Sequence, residues 1–240
     1  MKKIVFLLLY IFLALNIFGI DYVWIGANGN WNDQTNWSDG ITPGANGFPD
    51  NITDNATIDL AVAVDMNSAG ITINDLTINN AGAVLSLSGN ITVNGTTTVT
   101  SGNLTVGANT LTTNDLSVSG TLDNSNAAGI VNCNGTTIDF TGGSYSSGGT
   151  FNINGALTSF STNNENFGTL NIPGTVTTLT GQLSAGNVTV DGSISCGANN
   201  VSIGDLSGSG TFNAGSGTVG ITGDVTVTTF NGETSALKVV

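Results

Sequence analysis

The sequence predicts an all-β protein whose strands stack in parallel, a right-handed parallel β-helix (β-solenoid) with a Trp-rich cap at its N-terminus. Three observations favour this fold. A triplet of apolar, Thr or Ser, and apolar residues recurs along the chain, longer segments resemble one another, and basic side chains are nearly absent. An antiparallel β-sandwich or meander remains the alternative, because hairpins can also be repetitive.

The triplets predict short strands. Alternation of apolar and polar residues with a period of two is typical of a strand with one buried face. The triplets begin at residues 71, 76, 85, 91, 104, 116, 188, 194, 201 and 225, and each central residue is Thr or Ser. Turn-forming dipeptides lie between them: Asn94-Gly95, Asn134-Gly135, Asn154-Gly155, Asp191-Gly192 and Asn231-Gly232. The sequence therefore describes short strands joined by tight corners.

Longer repeats indicate that these strands stack. Residues 102–122 align without a gap with residues 192–212, and residues 89–95 align with residues 186–192. Such self-similarity is typical of units that stack on one another, and with roughly 20 residues per coil the segment 55–240 would form about nine coils. The rod would then be about 40 Å long.

The distribution of charge distinguishes a parallel stack of coils from an antiparallel meander. Equivalent residues of successive parallel coils form columns about 4.8 Å apart. Like charges repel in such columns, whereas Thr, Ser and Asn can hydrogen-bond along them. The triplet centres are uncharged, and Asp precedes strands at Asp75, Asp115, Asp205 and Asp224, where we expect corners open to solvent. This pattern favours the solenoid.

The N-terminus predicts export. Two lysines precede an apolar run from Ile4 to Phe18, which is typical of a secretory signal peptide cleaved near Gly19 or Ile20. A retained anchor is the alternative, although a bilayer span needs roughly 20 residues. The sequence therefore divides into a signal peptide at 1–20, a Trp/Gly/Asn-rich cap at 21–54 and β-solenoid repeats at 55–240, which we expect to be truncated at the C-terminus.

Charge excludes several functions. Cleavage would leave Lys238 as the single basic side chain against 16 acidic ones. Nucleic-acid binding depends on basic side chains that neutralise phosphates, and binding to anionic lipid also depends on basic side chains. We therefore expect no nucleic-acid partner. No second apolar run of comparable length follows the signal peptide, so we also expect no membrane span in the mature chain.

Residues suited to catalysis are scarce. There is no histidine, which excludes Ser-His-Asp and Cys-His arrangements. A glycosidase needs two carboxyl groups at a defined separation, but the acidic residues are scattered at predicted corners. Cys133 and Cys196 occupy valine-like positions of the repeat, which indicates two small buried hydrophobic residues. We expect no enzymatic activity; a carbohydrate-active β-helix is the alternative.

Two further binding hypotheses arise from the sequence. The loop that contains Asp50, Asp54 and Asp59 carries oxygen ligands of the kind that calcium prefers, although solvated loop polarity explains it better and no cofactor is expected. Pairs such as Thr175/Thr177 and Thr226/Thr228 suggest an ice-binding surface. We expect these threonines not to recur at one offset in consecutive coils, which argues against a flat array.

All three tryptophans lie between residues 24 and 37. Trp24, Trp31 and Trp37 could form a structural cap, because the first coil of a solenoid has an open apolar end that must be covered. Exposed tryptophans stack on sugar rings, so a contact with host or environmental glycans is the alternative. A catalytic cleft at this segment is unsupported, because no acid–base residues accompany the tryptophans.

The N-terminal pattern carries a family resemblance. It consists of Trp24/Gly26, Gly29/Trp31, Asn36/Trp37, Gly40/Pro43 and the segment from Asp50 to Ile58. It resembles a module that opens many exported bacterial surface proteins. The repeats after this module resemble the β-helical passenger regions of autotransporter-like and filamentous-haemagglutinin-like adhesins.

The resemblance implies an adhesin-type rod on the surface of a Gram-negative-type bacterium, outside the outer membrane, with glycans or surface proteins as partners. The translocating barrel of autotransporters is missing from this sequence. The apolar residues Leu237, Val239 and Val240 suggest an open stack that a capping or end-to-end partner would cover.

Overall fold

The structure is a computed structural model that describes residues 19–41, 44, 47–163, 165–232 and 237–239. The predicted signal peptide at 1–20 lies almost entirely outside these residues, and so do Pro43 and Val240. In the part of the chain that is described, no helix has the length and apolar character needed to cross a membrane.

The regular secondary structure of the described chain consists of strands, which make up about 57% of the residues, and one 3₁₀ turn at Gln34–Asn36. In chain order the strands are β1 Asp21–Trp24, β2 Gly29–Asn30, β3 Trp37–Ser38, β4 Asn55–Ile58, β5 Ala63–Met66, β6 Ile71–Ile73, β7 Asp75–Leu87, β8 Ile91–Thr105, β9 Thr110–Val118, β10 Thr121–Asn124, β11 Ile130–Cys133, β12 Thr137–Asp139, β13 Ser144–Ser147, β14 Thr150–Ile153, β15 Ala156–Leu157, β16 Ser159–Ser161, β17 Asn166–Ile172, β18 Thr175–Val176, β19 Leu179–Thr180, β20 Leu183–Val190, β21 Ser193–Ser195, β22 Val201–Ser207, β23 Thr211–Asn213, β24 Val219–Ile221, β25 Thr229–Asn231 and β26 Leu237–Val239.

The strands stack in parallel, which confirms the β-solenoid and excludes the antiparallel sandwich. Within the described residues, β1 with β3 is the single antiparallel pair of strands. Every other pair joins segments about one coil apart in sequence, such as Ile91 with Leu111 and Val131 with Phe151. The described residues make about 9 turns.

Three columns of strands define the faces of the rod. The first face runs from β1 through β4, the start of β7 and the middle of β8 to β9, β12, β16 and β19. The second face runs from β2 through β5, the end of β7 and the end of β8 to β10 and β13. The third face runs from β6 through the start of β8, β9, β11, β14, the end of β17 and β20 to the end of β22.

Two further columns belong to the later coils. The starts of β17, β20 and β22 pair in turn and continue into β24 and β26. Five short strands, β15, β18, β21, β23 and β25, form a separate sheet. The later coils therefore divide their strands differently from the earlier ones.

The length of a coil changes along the rod. The coil that joins Leu116 to its partner Ile138 is longer than the coil that joins Val201 to its partner Val219. The predicted period of roughly 20 residues lies between the two. The repeat is therefore regular in its stacking but not in its length.

The triplets point their apolar residues inward, as predicted. In Leu104-Thr105-Val106, for example, both apolar side chains are fully buried and Thr105 is partly exposed. The triplet at residues 225–227 is the exception: Val225 is 42% exposed and makes one isolated bridge, to Leu206.

The segment predicted to be a cap also contributes a coil of its own. β1 pairs in parallel with β4, with Asp21 opposite Asn55, so the first face begins within residues 21–54. This first coil is longer than those after it, because the tryptophan-containing loops are inserted between β1 and β4. The stack of strands therefore continues without a break from the predicted cap into the predicted solenoid.

Five glycines, three of them from the predicted turns, mark a corner where the coils stack closely. Gly135, Gly155, Gly174, Gly192 and Gly210 follow one another in successive coils. A Cβ on any of the last four would lie closer than 3.0 Å to the carbonyl oxygen of the glycine one coil earlier. Neighbouring coils therefore approach too closely at this corner for any other residue.

The core contains an aromatic cluster that the sequence patterns did not predict. Five buried rings pack against one another with centroid distances of 4.9–6.1 Å. They belong to Phe140, Tyr145, Phe151, Phe160 and Phe167. The cluster fills the long coils in which β12 pairs with β9 on one side and with β16 on the other.

Candidate functional site

The carboxylate of Asp54 organises the loop that was a calcium candidate. Its oxygens accept hydrogen bonds from the backbone N–H groups of Ile20 at 3.2 Å, Asp50 at 3.4 Å and Asn51 at 3.2 Å. The side chain is only 5% exposed. Asp54 therefore ties the entry to β1 to the end of the cap, and it is not the solvated loop residue that the sequence suggested.

The three acidic candidates do not form one ligand set. Asp50 lies beside Asp54, and burial together with the charge of Asp54 raises the pKa of Asp50 above its ordinary range. Asp59 follows the opposite end of β4. Among the described residues, no group of three acidic, cysteine or histidine side chains could hold a metal ion.

The three tryptophans form one buried cluster. The ring of Trp37 packs edge-on against Trp31, with centroids 4.6 Å apart, and against Trp24 at 5.0 Å. The ring of Tyr22 lies 6.3 Å from that of Trp37. All three indoles have an exposed fraction of 0%. Edge-to-face packing of this kind adds about 0.5–1.5 kcal/mol per pair beyond the burial of area.

Each indole N–H donates to a backbone carbonyl of the same segment. Trp24 Nε1 donates to the oxygen of Gly26 at 3.0 Å, Trp31 Nε1 to that of Pro49 at 2.9 Å, and Trp37 Nε1 to that of Trp31 at 2.7 Å. The polar edge of each ring is satisfied internally, and the buried faces of these three indoles are closed to a sugar. The arrangement is that of a core at the first coil.

Both cysteines are free thiols in the interior. Burial raises the pKa of Cys196 to about 12. Burial and the charge of Asp115 also raise the pKa of Cys133. Because the thiolate is the reactive form, these side chains act as small hydrophobic residues, in agreement with the sequence interpretation.

Aspartates at the corners hold the next coil. Oδ1 of Asp115 accepts hydrogen bonds from the backbone N–H groups of Thr136 and Thr137, both at 2.8 Å. Asp75 accepts the equivalent bond from Thr96 at 2.7 Å, and Asp205 accepts one from Asp224 at 2.9 Å. These carboxylates are structural acceptors between coils. Their recurrence just before a buried leucine, which within β9 and β22 falls inside the strand and not before it, therefore has a mechanical cause.

A single column of uncharged polar side chains runs along the outside of the third face. Its eight members are in register from coil to coil and occupy corresponding outward positions. They are Thr72, Thr92, Thr112, Asn132, Asn152, Asn171, Thr189 and Ser207. We call this set the amide column.

Hydrogen bonds link the amide column along the rod. Asn171 Nδ2 donates to Oδ1 of Asn152 at 2.9 Å, and Asn152 Nδ2 donates to Oδ1 of Asn132 at 2.7 Å. Asn132 Nδ2 donates in turn to Thr112 Oγ1 at 3.3 Å. The prediction that amides and hydroxyls bond along the columns is confirmed here.

The amide column contains threonines outside the pairs that the sequence suggested for ice binding. Thr72, Thr92 and Thr112 do recur at one offset in consecutive coils. Thr-x-Thr pairs within single strands do not reveal this column, because each of its members lies in a different coil. The expectation from the sequence concerned pairs such as Thr175/Thr177 and Thr226/Thr228, and none of these residues belongs to the amide column.

Open grooves cross the surface of the rod. One groove of about 480 Å³ crosses three coils and is lined by Gln182, Leu183, Ser184, Asn200, Val201, Ser202, Thr218 and Gly220. None of these side chains titrates. A second groove, of about 470 Å³, is lined by Ser, Asn, Gly and Ala residues between Ser195 and Asn231.

The fold and these surfaces define a β-solenoid with a buried aromatic first coil and uncharged polar columns. No family model matches the chain, and neither a curated protein nor a solved structure matches it. The resemblance to adhesin passenger regions therefore remains an expectation from the sequence.

Proposed function

We propose that this protein is a non-catalytic, exported β-solenoid that forms a stiff rod for display or attachment at a bacterial cell surface. The observation that carries the proposal is the continuous parallel stack of coils. A stack of this kind makes a rod whose stability is shared between nearest neighbours, with outer faces free for contact.

The distribution of the titratable groups supports a non-catalytic role. Asp75, Asp115 and Asp205 accept backbone hydrogen bonds between coils. Asp54 is buried in the cap loop. These carboxylates are used for structure, and the groove of about 480 Å³ contains no titratable side chain.

The N-terminal sequence supports export. An apolar run after two lysines is typical of a signal peptide. The adhesin role, the outer-membrane location and the resemblance to autotransporter-like proteins belong to this proposal. Interior cysteines that form no disulfide are compatible with an exported rod held by stacking alone.

The proposal is tested by locating the protein in cells that produce it. A specific antibody should label intact cells, and added protease should remove the label without cell lysis. Labelling only after the cells are opened would contradict the proposal. Release of reducing ends from polysaccharides by the purified protein would favour the carbohydrate-active alternative.

A further inference from the structure

The third face carries no charge over most of its length, a property that it shares with the shorter five-stranded sheet. The amide column contains only Thr, Asn and Ser. The neighbouring outward column, two positions earlier in each strand, contains Thr110, Ile130, Thr150, Thr169 and Asn187 before it reaches Asp205. Acidic residues lie instead at corners and on the other faces, as Asp139 does on the first and Asp123 on the second.

The amides of this face retain hydrogen-bonding capacity toward solvent. An Asn side chain has two N–H donors and an oxygen with two lone pairs. Asn152 uses one donor to reach Asn132 and one lone pair to accept from Asn171. One donor and one acceptor therefore remain, and the same pair recurs one coil earlier at Asn132.

The spacing of these groups is fixed by the backbone. Successive coils place them about 4.8 Å apart. This distance is close to the length of one sugar residue in an extended chain, whose hydroxyl groups both donate and accept. A neutral polysaccharide lying along the rod could thus meet one donor and acceptor per coil.

A second copy of the chain fits this face less well. The amide column spans about 35 Å, and with a width of about 10 Å it would bury about 350 Å² per partner. A standard interface buries about 800 Å² per partner. The uncharged surface also gives no electrostatic attraction to a charged macromolecule.

We propose that the third face binds a neutral, extended polysaccharide along the amide column. The inference rests on the proposed surface function and names the chemistry of its partner. Binding occurs through hydrogen bonds from uncharged groups, so it is weak per residue and insensitive to salt. Acidic polysaccharides are excluded by the negative charge of the rod.

The test is retention of the purified protein on insoluble cellulose and chitin, with polygalacturonate as the acidic probe. We expect retention on at least one neutral polymer at both low and high salt, and none on polygalacturonate. Asn171→Asp should weaken retention roughly tenfold, because it replaces a donor by a charge that the ligand cannot pair.

Asn166→Asp is the matched control. Asn166 lies in the same strand, β17, and it pairs with Ser184 away from the amide column. This variant should bind as the wild type does. If circular dichroism shows that Asn171→Asp is unfolded, Thr189→Val removes one hydroxyl from the column without adding a charge and should weaken retention in the same direction.

Three results would overturn the inference: no retention on any neutral polymer, retention that salt abolishes, or equal losses in Asn166→Asp and Asn171→Asp. A freezing-point gap without retention would assign the face to ice. In each case surface labelling of intact cells would still support the rod function, so the two proposals fail separately.

Discussion

Asp115 and Gly135 belong to successive coils, and they are in contact where those coils meet at a corner. A Cβ on Gly135 would lie closer than 3.0 Å to Oδ1 of Asp115 and 2.6 Å from the carbonyl carbon of Asn114. The same carboxylate accepts the N–H groups of Thr136 and Thr137. Because residue 135 is a glycine, the two coils can lie close enough for these hydrogen bonds to form.

Gly135→Ala should therefore destabilise the rod. The added methyl group would push two coils apart, and overpacking of this kind costs about 1–3 kcal/mol of unfolding free energy. Urea denaturation measures the difference. Gly220→Ala is the matched control, because the nearest atom to its Cβ is 4.0 Å away; it should change stability by less than about 0.5 kcal/mol. Equal stability of the two variants would contradict the close approach.

Replacing Trp24, Trp31 and Trp37 together with Ala should cause aggregation and lower the melting temperature. Each buried tryptophan replaced by Ala costs about 3–5 kcal/mol, and the loss would open the end of the first coil. Light scattering and thermal unfolding measure both effects. Ile41→Ala, at a side chain 88% exposed in the same segment, should be neutral. If the triple variant stays monomeric and stable but loses glycan binding, the cap interpretation fails.

The two thiols should be unreactive in the folded protein. The pKa of Cys196 is raised to about 12 and that of Cys133 is raised as well, so neither forms appreciable thiolate at mildly alkaline pH. A thiol-specific reagent should therefore detect no thiol in the native protein and both after unfolding in urea. Rapid labelling of the native protein would contradict the burial, and an absence of thiols after unfolding would indicate a disulfide.

Glu165→Gln should stabilise the protein at pH 7 but not at pH 4. Glu165 is 5% exposed, and burial raises its pKa above the ordinary value of 4.5. The folded state then binds the proton more tightly than the unfolded state, so stability falls as pH rises above about 4.5 toward the folded pKa. Melting temperatures of both proteins across this range test the prediction. A variant that is less stable at pH 7 would show that the carboxylate is stabilising.

The parallel stack could be predicted from the sequence because like charges repel in columns of equivalent residues. A parallel stack therefore limits which residue types can occupy its outward positions. Period-two triplets indicated one buried face, and uncharged centres indicated stacking of like residues. The segment 102–122 was harder to place. Its alignment with 192–212 matches Leu104 to Ile194, yet Leu104 lies on the second face and Ile194 in the separate five-stranded sheet. Similar sequence therefore recurs on different sides of the rod.

The first five members of the amide column, from Thr72 to Asn152, lie 20 residues apart, so the predicted period of roughly 20 could have found them; the last three could not be found because the coils shorten. The step from Asn132 to Asn152 is longer than the step from Asn152 to Asn171, and the next step, to Thr189, is shorter again. A fixed period of roughly 20 residues therefore follows the column from Thr72 to Asn152 and loses its register only beyond that residue. The aromatic cluster was missed for a related reason, since Phe140 and Phe167 meet only because the long coils bring their rings together.

The state of the protein in the cells that make it tests the proposed exported rod most directly. Intact cells should be treated with protease, and the N-terminus of the untreated protein should be sequenced. We expect a mature chain that begins near Ile20 or Asp21 and that an antibody or protease reaches without cell lysis. A chain that retains Met1 and is reached only after lysis would contradict the proposal of an exported surface rod.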